Sequence, residues 1–117
     1  MKIVILNREL RSEMQMYLTL SNRYQVEIAQ DAEDLMSLLD QDSRDLTLVD
    51  LAKIESDSQE DGLRVAHLIR KKHPKIKIVG ICDRENLDLL KEASEKGINK
   101  FVMRPVKNRE LLEAIEN

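Results

Sequence analysis

Apolar residues fall along this chain in two alternating rhythms. Short, nearly continuous apolar runs are separated by longer stretches in which apolar side chains recur every three or four positions. The first rhythm reads as strands covered on both faces, as in parallel sheets, and the second as amphipathic helices. Lys2–Leu6 is the first strand, and the run Leu46-Thr47-Leu48-Val49 ending on Asp50 is the third. Ile76, Ile78, Val79, Ile81 and Cys82 form the fourth strand, and Lys100–Met103, around Phe101 and Val102, a short fifth. Val26, Ile28 and Ala29 alternate with polar neighbours, which predicts a half-covered edge strand as the second.

The helices lie between these runs. Leu10, Met14, Tyr17, Leu18 and Leu20 set the stripe of the first, which closes near Ser21-Asn22. Asp31 caps the second, with Glu33 and Asp34 at its positive end, and it buries Leu35, Leu38 and Leu39 before stopping short of Arg44. After Asp50 a polar loop from Ala52 to Asp61 has only Ile54 to pin it. Asp61-Gly62 opens a third helix with the stripe Leu63, Ala66 and Ile69, ended by His73-Pro74. Asp83 is placed as the cap of a fourth helix carrying Leu87, Leu90 and Ala93, with Gly97 as its left-handed C-terminal cap. Arg104-Pro105 turns into a last helix with Leu111, Leu112 and Ile115.

Strict alternation of five strands and five helices predicts an α/β fold: a (βα)5 doubly wound parallel sheet with helices on both faces, in a single domain over residues 1–117. The last helix runs to the end of the chain, which suits a domain cut from a longer protein. A composition of 42% hydrophobic and 35% charged residues fits a globular domain rather than a disordered one. With 19 basic against 22 acidic side chains and 3% aromatics, the chain offers neither an electrostatic footprint nor stacking platforms for nucleic acid. The apolar N-terminal run is too short to span a bilayer, and one cysteine permits no internal disulfide; both point to the cytoplasm. The basic run Arg70-Lys71-Lys72-His73, with Lys75 and Lys77, reads as a solvated helix end whose cations complement the dipole. His67 and His73 lack partners at zinc-ligand spacing.

Asp50 is the focus of the candidate chemistry, because open α/β sheets place their ligands at the carboxyl ends of strands. With the other strand ends, the chain resembles the receiver domains of two-component response regulators along its whole length. Asp50 matches the phosphoacceptor, Asp61-Gly62-Leu63 the Asp-Gly entry to the third helix, and Gly97 the glycine after the fourth helix. Phe101 matches the aromatic switch position and Pro105 the proline of a Lys-Pro pair. The resemblance implies a flavodoxin-like fold and a place in phosphorelay signalling. It also implies partners: a histidine kinase, a phosphotransfer protein or an output domain, with a homodimer as a further candidate.

The departures from the family pattern are chemical. Asn7 and Arg8 stand where the family carries an acidic pair, leaving Glu9 as the neighbouring acid; Cys82 replaces Thr or Ser, and Arg104 replaces Lys. In the family the acidic pair and the phosphoacceptor hold magnesium, which offsets charge during phosphoryl transfer. Arg8 offers no acceptor, and a cation about 4 Å from a divalent ion costs roughly 8 kcal/mol at an effective dielectric of about 20. No metal or other cofactor is therefore expected, and impaired phosphorylation of Asp50 follows. Arg8 or Arg104, or both, are expected to contact Asp50 instead, at a rim with no other strong charge but Glu9. Cys82 reads as a small buried apolar residue rather than a redox centre. An enzyme is not expected: a dehalogenase-type phosphatase needs an Asp where Ala52 stands, and no glycine-rich phosphate loop is present. The alternative function is a pseudo-receiver, an interaction module using its helix 4–strand 5–helix 5 face without phosphorylation.

Overall fold

The structure, a computed structural model, describes residues 1–52, 61–84 and 89–117. Five strands and five helices alternate: β1 (Lys2–Leu6), α1 (Leu10–Ser21), β2 (Gln25–Ile28), α2 (Ala32–Gln41), β3 (Leu46–Asp50), α3 (Gly62–Lys72), β4 (Lys77–Asp83), α4 (Leu89–Glu95), β5 (Lys100–Arg104) and α5 (Asn108–Glu116). All pairings are parallel, in the order β2-β1-β3-β4-β5. The order reverses direction between β1 and β3, so their carboxyl ends flank the crevice where this architecture gathers ligands.

Side chains alternate across the sheet with a period of two, and each face builds its own core. Ile3, Ile5, Leu46, Leu48, Val79, Ile81 and Val102 pack with Met16 and Leu20 of α1 and Leu111 and Ile115 of α5. Val4, Leu6, Val49, Ile78 and Cys82 pack on the other face with Leu35 and Leu39 of α2, Ala66 and Ile69 of α3, and Ala93 of α4. The cap expected at α2 is in place, with Asp31 accepting the Asp34 N–H; at α3 Asp61 also acts as a cap, accepting the Leu63 N–H. Gly97 adopts φ +94° after α4, the left-handed turn that favours glycine.

Three expectations are corrected. The first concerns α1, whose stripe of Leu10, Met14, Tyr17 and Leu18 faces solvent: Leu10 is 68% exposed and Leu18 63%. Of the expected stripe Leu20 is buried, and Ser12 and Met16 are buried with it. Polar anchoring sets this rotation. Glu9 caps the helix at Ser12, while Gln15 and Thr19 both bond Asn108 Oδ1 at 3.0 Å on α5, turning the adjacent Met16–Leu20 side inward. The second concerns Asp83, read only as a helix cap: it is the last residue of β4 and its carboxylate meets Arg104, while residues 85–88, where a capped helix would begin, lie outside the described residues. The third concerns the basic run, which is not all solvated. Arg70 directs its guanidinium onto the carbonyls of Gly97, Pro74 and Ile76 and onto Asn99 Oδ1, while Lys72 and His73 pair with Asp40.

Smaller differences lie at element ends. Ile76 precedes β4 and is buried there, and β5 extends one residue further, to Arg104. Ile54 with the rest of 53–60, and Leu87, lie outside the described residues. Among the described residues no helix is long and apolar enough to cross a membrane.

Candidate functional site

The period of two that builds the core also builds the site. Leu46 and Leu48 face α1 and α5, so Asp50 continues their face; Val79 and Ile81 bring Asp83 to it, and Val102 brings Arg104. Asn7 follows Ile3 and Ile5 in the same sense just beyond β1. Four strand ends thus deliver two carboxylates, an amide and a guanidinium to one rim. Asp83 and Arg104 are direct neighbours in the β4–β5 register.

Asp50 is fully buried. Its Oδ2 accepts the Arg8 backbone N–H at 2.9 Å and Arg104 Nη1 at 2.7 Å. Its Oδ1 accepts the Ala52 N–H at 2.9 Å and Arg104 Nη2 at 3.0 Å. These four bonds match the acceptor capacity of an ionised carboxylate. Burial alone would raise the Asp50 carboxyl, but the bonds from Arg104, Arg8 and Ala52 outweigh it and hold the group below its ordinary range.

Arg104 uses all of its donors. Beyond the two bonds to Asp50, Nε reaches Asp83 Oδ1 at 2.8 Å, Nη2 reaches Asp83 Oδ2 at 3.2 Å, and Nη1 reaches Asn7 Oδ1 at 2.7 Å. Five bonds for five N–H groups is the limit of a guanidinium. Its side chain is 9% exposed, against 35% for Asp83. Burial works against the charge on Arg104, yet the two carboxylates raise its pKa above the ordinary arginine value.

The remaining predicted positions divide. Arg8 meets the Asp50 carboxylate through its main chain, and its guanidinium Nη1 approaches the Asp50 carbonyl oxygen at 3.4 Å. Glu9 is exposed, and both of its carboxylate oxygens cap α1 by accepting the Arg11 and Ser12 N–H groups; the Ser12 hydroxyl contact is the main cause of its lowered pKa. Cys82 is buried in the core on the α2–α3–α4 face, its Sγ 3.9 Å from the Val102 carbonyl, and burial pushes the thiol up. Phe101 packs half-buried against that same core, and exposed Pro105 follows Arg104 through a cis peptide.

Asp83 is the residue that sequence reasoning missed, and it corrects the expectation of a rim charged only by Glu9 besides the arginines and Asp50. The signal was available: Val79, Ile81 and Asp83 share one face of a strand, as Leu46, Leu48 and Asp50 do. Among the described residues no group of three or more His, Cys, Asp or Glu side chains is placed to hold a metal ion.

Comparison with known proteins agrees with this architecture. The family model described as the response regulator receiver domain matches residues 4–116. No curated protein matches the chain. Among solved structures, NtrX from Brucella abortus superposes with a TM-score of 0.89 at 23% identity, over 98% of this chain and 26% of that one. The N-terminal signal receiver domain of a response regulator from Bacteroides fragilis gives 0.88 at 22% identity, over 99% of this chain and 93% of that one. The receiver domain of the TMAO respiratory regulator TorR gives 0.88 at 22% identity, with 99% and 93% covered. The chain therefore spans about a quarter of that NtrX chain, and at these identities the likeness bears on the fold.

Proposed function

Because the chain belongs to the response regulator receiver family, we propose that it is a signalling module whose Asp50 site is closed to phosphoryl transfer and which acts through protein contacts. Such domains meet histidine kinases and output domains, and those are the partner classes for this one, in the cytoplasm. One observation carries the reading: every acceptor position of the Asp50 carboxylate already receives an N–H, from Arg8, Ala52 and Arg104. A carboxylate attacks a phosphoryl group through a free lone pair, and here one must first be vacated in a buried ion pair.

Two surfaces suit an interaction module. One is the exposed α1 stripe of Leu10, Met14, Tyr17 and Leu18, four apolar side chains at the spacing of one helical face. The other is a shallow groove on the β5–α5 face, bordered by Arg84, Lys100, Phe101, Met103, Glu110 and Glu113. Ordinary phosphoacceptance is the second reading, favoured by Asp50 standing at the end of β3.

Incubation with acetyl phosphate followed by intact-mass spectrometry separates the two. The closed-site reading expects an unmodified mass. A stoichiometric phosphoryl gain that disappears in Asp50→Asn would install the phosphoacceptor reading instead.

A further inference from the structure

We infer that the Arg104 guanidinium is the resident cation of this site, built into β5 where the family would recruit a divalent ion, and that Asp83 is the positioning residue that seats it. The inference starts from the closed Asp50 geometry above but concerns cation binding, which is measured separately from phosphorylation.

The residues present do not fit the family's metal. On the β1 side of Asp50, Arg8 supplies no acceptor, Glu9 is committed to the α1 cap, and Asn7 Oδ1 already accepts from Arg104. Both Asp50 oxygens are filled. The hard oxygen donors instead converge from the β4 side, where Asp50, Asp83 and Asn7 present five contacts of 2.7–3.2 Å to one guanidinium. Two carboxylates and an amide oxygen around a central cation form a donor set that a hard metal ion would also accept. Here the cation is covalently part of the chain, and its effective concentration cannot be diluted.

Charge balance points the same way. Asp50, Asp83 and Glu9 bring three negative charges to the rim, and Arg104 and Arg8 bring two positive ones. A divalent ion added to these would turn the balance from slightly negative to positive.

Asp83 gives the arrangement its orientation. It pairs with Arg104 across the β4–β5 ladder and takes the Nε edge of the guanidinium. The Nη1–Nη2 edge is thereby turned squarely onto Asp50 in a fork–fork contact. Without Asp83, the head group would be free to rotate about its last bonds while still near Asp50. Asp83 thus acts on Asp50 through Arg104.

The test is a titration with magnesium and manganese at millimolar concentration, followed by amide chemical shifts and paramagnetic broadening. Wild type should show no site-specific change at Asp50, Ala52 or Asp83. Arg104→Ala should gain manganese broadening at those amides, reversed by magnesium, together with a metal-dependent rise in melting temperature. Adding Asp83→Ala to that variant should abolish both. Arg104→Gln keeps a hydrogen-bonding head without charge and repeats the measurement should the alanine variant fail to fold. The seating role has its own signature: the Arg104 Nε–H resonance should be protected in wild type, lost in Asp83→Asn and recovered in Asp83→Glu. Saturable magnesium binding at Asp50 in wild type would overturn the inference. So would folded Arg104 variants as blind to metal as wild type, or an Nε–H signal indifferent to Asp83. A phosphorylated but metal-blind wild type would instead sink only the closed-site reading.

Discussion

Gly62 lies so close to Asp50 that a Cβ built on it would fall 2.0 Å from the Asp50 carbonyl oxygen and 2.6 Å from Leu51 Cα. The first residue of α3 therefore rests directly on the strand end that carries the candidate site. Gly62→Ala has no flexible side chain to push aside, only backbone. It should cost about 3 kcal/mol or more, read as a lowered urea midpoint, with the largest amide shifts at Asp50 and Leu51. A neutral Gly62→Ala would mean that α3 docks with slack against β3.

The ion-pair geometry orders three alanine variants. Arg104→Ala leaves Asp50 buried with two backbone N–H groups as the donors to its carboxylate among the described residues, and should cost about 3–5 kcal/mol. Asp50→Ala leaves Arg104 still paired with Asp83 and Asn7, and should cost about 1–3 kcal/mol. Arg8→Ala keeps the N–H that meets Asp50, so it should stay within about 1 kcal/mol of wild type. Denaturant midpoints test the order, and a stabilising Asp50→Ala would show the carboxylate to be a dispensable remnant.

The Asp50 pKa gives a pH dependence of definite sign. Its carboxyl is held below the ordinary 3.8, so the folded state binds its proton less readily than the unfolded chain. The stability it contributes is complete above that ordinary value and is lost as pH falls through the lower folded value. The stability gap between wild type and Asp50→Asn should stay constant from neutral pH down to the ordinary carboxylate pKa, then shrink in stronger acid. A gap that closes above that pH would mean that Arg104 does not hold the charge.

The rotation of α1 separates two kinds of substitution. Leu18→Lys, on the exposed stripe, should change stability by about 0.5 kcal/mol or less. Met16→Ala, fully buried in the core on the α1–α5 face of the sheet, should cost about 2–5 kcal/mol. The reverse order would restore the face expected from the sequence. Loss of a bound partner on Leu10→Lys or Leu18→Lys, with melting unchanged, would mark this stripe as a docking face.

Element types and their order were legible because each depends on local periodicity. Continuous branched runs at Lys2–Leu6 and Leu46–Asp50 have nowhere to go but a sheet covered twice, and alternation with helical stripes then leaves a doubly wound arrangement. Asp31 and Gly97 were legible for the same reason, since capping is settled within a few residues of chain. Asp50 was legible as a strand-end carboxylate facing arginines, but which arginine side chain would fork onto it was left open between Arg8 and Arg104.

What the tertiary structure decided are the choices between local options. In α1 the stripe richer in apolar side chains is left in solvent, and the Met16–Leu20 side is buried beside the bonds that Gln15 and Thr19 make to Asn108, about ninety positions away. At Asp83 a helix cap and a strand end are both sound local readings; only the register that sets it beside Arg104 makes it a counter-charge. Glu9 could have faced Asp50, but the unsatisfied N–H groups of α1 lie two and three residues away and claim it. Arg8 could have forked onto the carboxylate; the strand end instead presents its main-chain N–H. The physical division is one of range. Periodicity and capping energies act within a turn or two of chain and can be read in order, whereas ion pairs among four strand ends exist only after the sheet has brought those ends together.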